Sequence, residues 1–166
     1  MTLLTAMRPE FYSHYLQTAV AGYADDNVAS GRWPREGALE LSRSEFEGLL
    51  PQGLATPHNH LFEIKAQANG PTVGSIWFAV EERHGSRKAY VYDVEINPPW
   101  RRQGHATRAF EALEPVVAAL GIRSIGLHVF GHNLGAQALY AKLGYGVTGI
   151  NMVKQLGGEP SSSSVQ

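Results

Sequence analysis

The sequence predicts an α/β chain of the α+β type, with a mixed central sheet of about six strands flanked by helices. Three observations predict it. Apolar runs between Leu61 and Ile96 are separated by tight turns, the pattern of an antiparallel meander. A strand, a helix and a second strand follow between Ala89 and Phe130, the pattern of a parallel βαβ unit with a right-handed crossover. Ahead of both, two stretches, residues 9–21 and 42–50, read as helical.

The elements read in order. Phe11, Tyr15, Ala19 and Tyr23 recur at three- and four-residue steps, which predicts a helix from Pro9 to about Ala21 with Gly22 as its stop. Tyr23 to Gly37 is irregular. Its aromatics, Tyr23 and Trp33, read either as part of a substrate loop or as staples holding the helix to the core. Ser42 or Ser44 would cap a second helix running through Leu50, with Phe46, Leu49 and Leu50 facing inward. His58 and His60 would share one face of an extended segment. With no third ligand nearby they read as a turn or as an acceptor-pocket wall rather than as a metal site.

Strands are expected at Leu61–Gln67, Val73–Glu81 and Ala89–Ile96, with Ile76, Phe78 and Val80 on one face. Pro98-Pro99 stops the third, because proline cannot donate to a ladder. Ala106, Phe110, Leu113, Val117 and Leu120 make one face of the next helix, and Gly121 closes it. Ser124–Phe130 reads as a strand, Asn133–Leu143 as a helix ended by Gly144, and Tyr145–Lys154 as a last strand. Residues 1–156 would form a single domain, and 157–166, poor in apolar residues, a flexible tail.

Composition bounds the function. Fourteen Lys and Arg against fifteen Asp and Glu give a formal charge of -1, which speaks against a nucleic-acid partner. The absence of cysteine excludes disulfides, thiolate metal sites and a cysteine nucleophile. No signal-like N-terminus and no run near the ~18–20 apolar residues of a membrane span make a cytoplasmic protein the default expectation.

The chemistry concentrates between Ala89 and Tyr145. A strand ends at a basic, glycine-bearing turn that opens directly into a helix. The first amides of a helix have no internal partners, and the helix dipole makes that end positive. Gly104 permits close backbone approach, and Arg101 and Arg102 add charge suited to a diphosphate. The turn lacks the three spaced glycines of a dinucleotide fingerprint and the Gly-Lys-Ser/Thr of a P-loop.

Arg101-Arg102-Gln103-Gly104-His105-Ala106 resembles the Q/R-x-x-G-x-G/A loop of the GCN5-related N-acetyltransferases. It stands five residues after Ile96, as that family's loop follows its fourth strand. Asn133, Ala136, Leu139-Tyr140 and Lys142-Leu143-Gly144-Tyr145 resemble the family's later helix and closing turn. The resemblance covers about Leu61 to Leu156, and the N-terminal helices resemble a bacterial branch whose acceptors are mostly unassigned.

The resemblance implies acetyl-CoA as co-substrate and direct transfer to an amine. It implies that backbone amides of Gln103, Gly104, His105 and Ala106, with Thr107 and Arg101 or Arg102, hold the pyrophosphate. It implies that Val94 and Ile96 pair with the pantetheine amides, that Asn133 bonds the pantetheine arm and that Ala136 gives it room. Tyr140 would protonate the departing thiolate. In related ribosomal-protein acetyltransferases a glutamate stands five residues before the asparagine. Here that position is His128, so the base is open among His128, Asp93 and Glu95, in that order. Tyr23, Trp33, His58, His60 and Tyr92 are expected to meet the acceptor. A non-catalytic acyl-CoA-binding module of the same fold is the alternative, and a homodimer is open.

Overall fold

A computed structural model describes residues 3–157. Its described elements run β1 (Leu3–Ala6), α1 (Pro9–Ala29), α2 (Ala38–Leu49), β2 (Asn59–Lys65), β3 (Thr72–Arg83), β4 (Ser86–Ile96), α3 (His105–Ala119), β5 (Ile125–Leu127) and α4 (Leu134–Lys142), with short 3-10 turns at Gly53–Ala55 and Pro98–Trp100. The expected tail, beyond Gly157, lies outside the described residues.

The five described strands form one mixed sheet in the order β1-β2-β3-β4-β5. The first four pair antiparallel and β5 joins β4 in parallel, as the strand–helix–strand reading requires. Alternation along β3 separates two cores. Ile76 and Phe78 pack with Phe110, Leu113 and Val117 of α3 on one face. Trp77 packs with Tyr15 of α1 and Phe46 of α2 on the other. Helices therefore cover both faces, and the central strand is apolar on both sides.

Four elements differ from the sequence reading. Helix α1 does not stop at Gly22. A glycine inside a helix costs only about 1 kcal/mol, which burial of Val20, Ala24 and Asn27 offsets. The helix ends further on, where the Asn27 carbonyl accepts the Arg32 and Trp33 amides. Helix α2 starts at Ala38 after Gly37 at φ +80°. Ser42 is thus inside the helix and buried, with its hydroxyl donating to the Val20 carbonyl (2.7 Å) to tie α2 to α1. Leu49 is 36% exposed rather than inward-facing, while Phe46 and Leu50 are buried. Finally, the strand expected at Tyr145–Lys154 forms no ladder, and the unexpected β1 completes the five-stranded sheet on its other edge.

One irregularity positions the site. Val91 pairs with Phe78 but Asp93 pairs with Trp77, so Tyr92 is an extra residue on β4. This bulge reverses the facing of the strand. Before it, Ala89 and Val91 point to the α3 core. After it, Val94 and Ile96 do, and Asp93 and Glu95 turn toward α1. The β4–β5 ladder also ends here, at Val91 and Leu127. Beyond this point the two parallel strands part.

Candidate active site

Where β4 and β5 part, a cleft of about 960 Å³ opens. Its walls come from α1 (Phe11, Tyr15, Tyr23, Asp26), α2 (Glu45, Phe46), β4 from Tyr90 to Glu95, the chain from Leu127 to Phe130, and α4 with its cap (Asn133, Ala136, Tyr140). From Tyr92 onward, β4 has no strand partner on the cleft side. The Asn97 amide donates to Val73 of β3 (2.8 Å). Amides alternate in direction along a strand, so those of Ile96 and Val94 point to the cleft.

Asp93 sits half-buried on this floor. The Tyr15 hydroxyl, itself buried, donates to its carboxylate at 2.8 Å. Burial pushes the Asp93 carboxyl up, the Tyr15 hydrogen bond pulls it down and the charge of Glu95 pushes it up again, leaving it at about 6. Across the cleft is Tyr140, edge-on to Phe110 at 5.4 Å and to Tyr145 at 5.8 Å. Burial first, and then the charge of Asp93, push the Tyr140 phenol to about 12. A carboxylate ionised at neutral pH thus faces a phenol that keeps its proton, which is the separation a base and an acid need.

The other two base candidates are placed differently. Glu95 is ion-paired with Arg101, whose Nε also donates to the Ile96 carbonyl. His128 lines the cleft but is exposed, with its ring edge-on to Phe130 at 5.0 Å.

The basic turn lies just past the cleft's Asn97 end. Arg102 and Gly104 adopt left-handed backbone, at φ +60° and +83°. Residues with a Cβ rarely adopt the backbone of Gly104, so this turn favours glycine. Helix α3 follows with no side-chain cap on its first amides. His105 is turned inward, buried and edge-on to Trp100 at 5.8 Å, which leaves its backbone rather than its ring at the turn. Ala106 and Thr107 occupy the rest of the first turn of α3. Asn133 caps α4, its Oδ1 accepting the Ala136 amide at 3.1 Å. Its amide nitrogen is the end left to donate.

Among the residues expected to meet the acceptor, Tyr23 and Tyr92 line the cleft. Trp33 stands behind, edge-on to Tyr23 at 5.5 Å. His58 and His60 do not belong to the cleft. His58 has φ +65°, so the two histidines are not on one extended face. The ring of His60 stacks on Phe78 at 4.7 Å, and the residue lines a separate small pocket with Met7 and Leu54. Among the described residues no group of three His, Cys, Asp or Glu is placed to hold a metal. Sequence reasoning passed over Tyr15, Phe46, Trp77 and Phe130. The spacing that marked Tyr15 as a core residue was correct, but it could not show that the core face borders a cleft.

The sequence matches the acetyltransferase (GNAT) family over residues 11–145. The chain belongs to the GNAT family. It is 38% identical to YycN of Bacillus subtilis, an uncharacterized N-acetyltransferase, over 93% of this chain and 98% of that one. It is 32% identical to YdgE of the same organism, also an uncharacterized N-acetyltransferase, over 92% and 97%. The crystal structure of YycN superposes with a TM-score of 0.89, covering 94% of this chain and 99% of that chain at 38% identity. AAC(6')-Iy, in complex with the bisubstrate analog CoA-S-monomethyl-acetylneamine, shares the fold at a TM-score of 0.61 and 15% identity, covering 94% and 98%. The protein is accordingly an N-acetyltransferase of the GNAT family, with no acceptor assigned in YycN or YdgE. Among the described residues, no helix is long and apolar enough to cross a membrane.

Proposed function

We propose that the chain transfers an acetyl group from acetyl-CoA directly to a cationic primary amine held in the same cleft. The observation that carries this reading is the parting of β4 and β5 beside Asp93 and Tyr140. It offers an unpaired strand edge, a base and an acid to one space.

The residues present fit acetyl-CoA. The uncapped first turn of α3, the close-approach position at Gly104 and the guanidinium of Arg102 suit a diphosphate. Arg101 holds the end of β4 through Ile96 and Glu95. The cleft-facing edge of β4 suits the amides of a pantetheine arm, as an added strand would. The Asn133 amide is a further donor, and Ala136 leaves room. Acetyl-CoA, when bound, supplies an activated thioester carbonyl and a thiolate leaving group.

Asp93 accepts the proton that the amine must lose, and Tyr15 positions it. The Ile96 amide is aimed to stabilise negative charge on the carbonyl oxygen. Tyr140 gives its proton to the departing sulfur. With no cysteine in the chain, direct transfer in a ternary complex needs no thioester relay.

The lining also suggests the kind of amine. Four carboxylates, Asp26, Glu45, Asp93 and Glu95, line the cleft together with one guanidinium, Arg32. Contiguous rings run from Tyr23 to Phe46, from Phe46 to Trp77, and from Trp77 to Tyr92. Carboxylates beside aromatic faces favour a cation with an apolar body.

Release of free coenzyme A, measured against arylalkylamines, diamines and acidic amino acids, tests the proposal. The first two classes should turn over and the third should not. Tyr140→Phe should lower kcat about 100-fold, within the range for a lost general acid, with little change in KM. Tight acetyl-CoA binding without turnover on any amine would contradict it and leave a binding module instead.

A further inference from the structure

Two glycines in the helices that wall the cleft serve nothing within the chain. Gly22 lies inside α1 and Gly48 near the end of α2, and both line the cleft. Glycine is the poorest helix former after proline. It is kept where the backbone turns left-handed or where another group must come close. Neither condition holds here. Both residues have helical backbone without positive φ. A Cβ built on either would meet no atom within 4 Å. Nor is Gly22 a helix stop, since α1 continues to Ala29. The space these residues leave is open to the cleft and is not used by the protein's own packing.

The side chains that line the cleft from the same two helices are largely apolar. They include Phe11 and Tyr23 of α1 and Phe46 and Leu49 of α2. Leu49 is exposed, so its apolar surface is available to a ligand. Along α1, Gly22 stands between Tyr15, which is bonded to Asp93, and Asp26. We infer that Gly22 and Gly48 determine acceptor specificity. The room they leave takes the apolar body of the amine, and it selects an amine bearing an aromatic ring over a short alkyl amine. This rests on the proposed transfer to an amine held in the cleft. A flat ring can lie against bare helix backbone at van der Waals distance, where a side chain would hold it off. The rings of Tyr23 and Phe46, edge-on to each other at 6.0 Å, offer it further aromatic contacts.

Acetylation of 2-phenylethylamine and of ethylamine tests the inference, with the wild-type chain, Gly22→Leu, Gly48→Leu, Gly22→Ala and Gly48→Ala. The wild type should prefer 2-phenylethylamine. In each leucine variant the ratio of kcat/KM for 2-phenylethylamine to that for ethylamine should fall at least about tenfold, the low end of what one methylene decides in an apolar pocket. The fall should lie in KM rather than kcat. The alanine variants should shift the ratio in the same direction yet melt about 2–4 °C above the wild type, because alanine at an exposed helical position stabilises. They keep the ratio readable even if a leucine variant does not fold. An unchanged ratio, or an equal loss for both amines, overturns the inference and leaves amine transfer standing. So does an alanine variant that melts below the wild type, since the glycine would then serve packing. A wild type that acetylates neither amine overturns the proposed transfer, and this inference with it.

Discussion

Replacing Tyr15 with phenylalanine removes one hydroxyl and keeps the ring that packs between α1 and the sheet. The lost contact is the 2.8 Å hydrogen bond to the Asp93 carboxylate. A hydrogen bond to a charged group contributes about 1.5–3 kcal/mol, and 1.36 kcal/mol corresponds to one pKa step. This bond favours the ionised carboxylate, so its loss raises the Asp93 carboxyl from about 6 to about 7.5, taking a value near the low end of that range. At pH 6.5 the ionised fraction would then fall from about three quarters to about a tenth, an approximately eightfold loss of rate. At pH 9 both proteins are ionised and the rates should nearly agree. The assay is kcat/KM for coenzyme A release between pH 5 and 9, with one amine for both proteins. Two parallel profiles, or an equal loss at every pH, would refute the positioning of Asp93 by Tyr15.

Further outcomes follow from the same geometry. Asp93→Asn should lower turnover yet raise stability at pH 7–8. The folded carboxyl sits at about 6 against an ordinary 3.8, so the wild-type fold loses on the order of 2 kcal/mol as pH rises from about 4 to 6. Melting at pH 4 should show little difference between the two proteins. Glu63 has the opposite sign. It is fully buried, and burial alone would raise it, but hydrogen bonds from Arg8, Thr72 and Lys65 bring it down to about 2. Its contribution is complete above the ordinary value of 4.5 and is lost as pH falls toward 2. The acid limb of an unfolding profile should therefore flatten in Glu63→Gln. Gly74→Ala should cost about 3 kcal/mol or more, because a Cβ there would fall on the Glu95 carbonyl oxygen across the ladder. Chemical denaturation measures it.

Much of the candidate site's local geometry was legible before the fold, and the reasons are local. The turn from Arg101 to Ala106 and the face bearing Asn133, Ala136 and Tyr140 depend on backbone conformation and helical spacing, which short stretches of sequence encode. The facing of Asp93 away from Val94 followed from strand alternation. That it shares a cleft with Tyr15 did not, because the bulge at Tyr92 and the approach of α1 are tertiary events. The histidines illustrate the converse. Their spacing suggested one face, but a left-handed residue at His58 removes the extended geometry on which the spacing argument rests. Strand β1 is only four residues long and carries no turn signal of its own. Its place is fixed by pairing with β2 and, beyond its end, by Arg8 on Glu63. The segment from Tyr145 to Lys154 has the composition of a strand, but pairing depends on a partner edge that sequence alone does not locate.

The central claim is direct transfer from acetyl-CoA to an amine held beside Asp93 and Tyr140. Its most direct test varies both substrates at pH 8, with acetyl-labelled coenzyme and a cationic arylalkylamine, and follows label on amine and protein. The account predicts intersecting initial-rate lines, label on the amine and none on the protein. Parallel lines with label on the protein before the amine, or binding of acetyl-CoA with no acetylated amine at all, would contradict it.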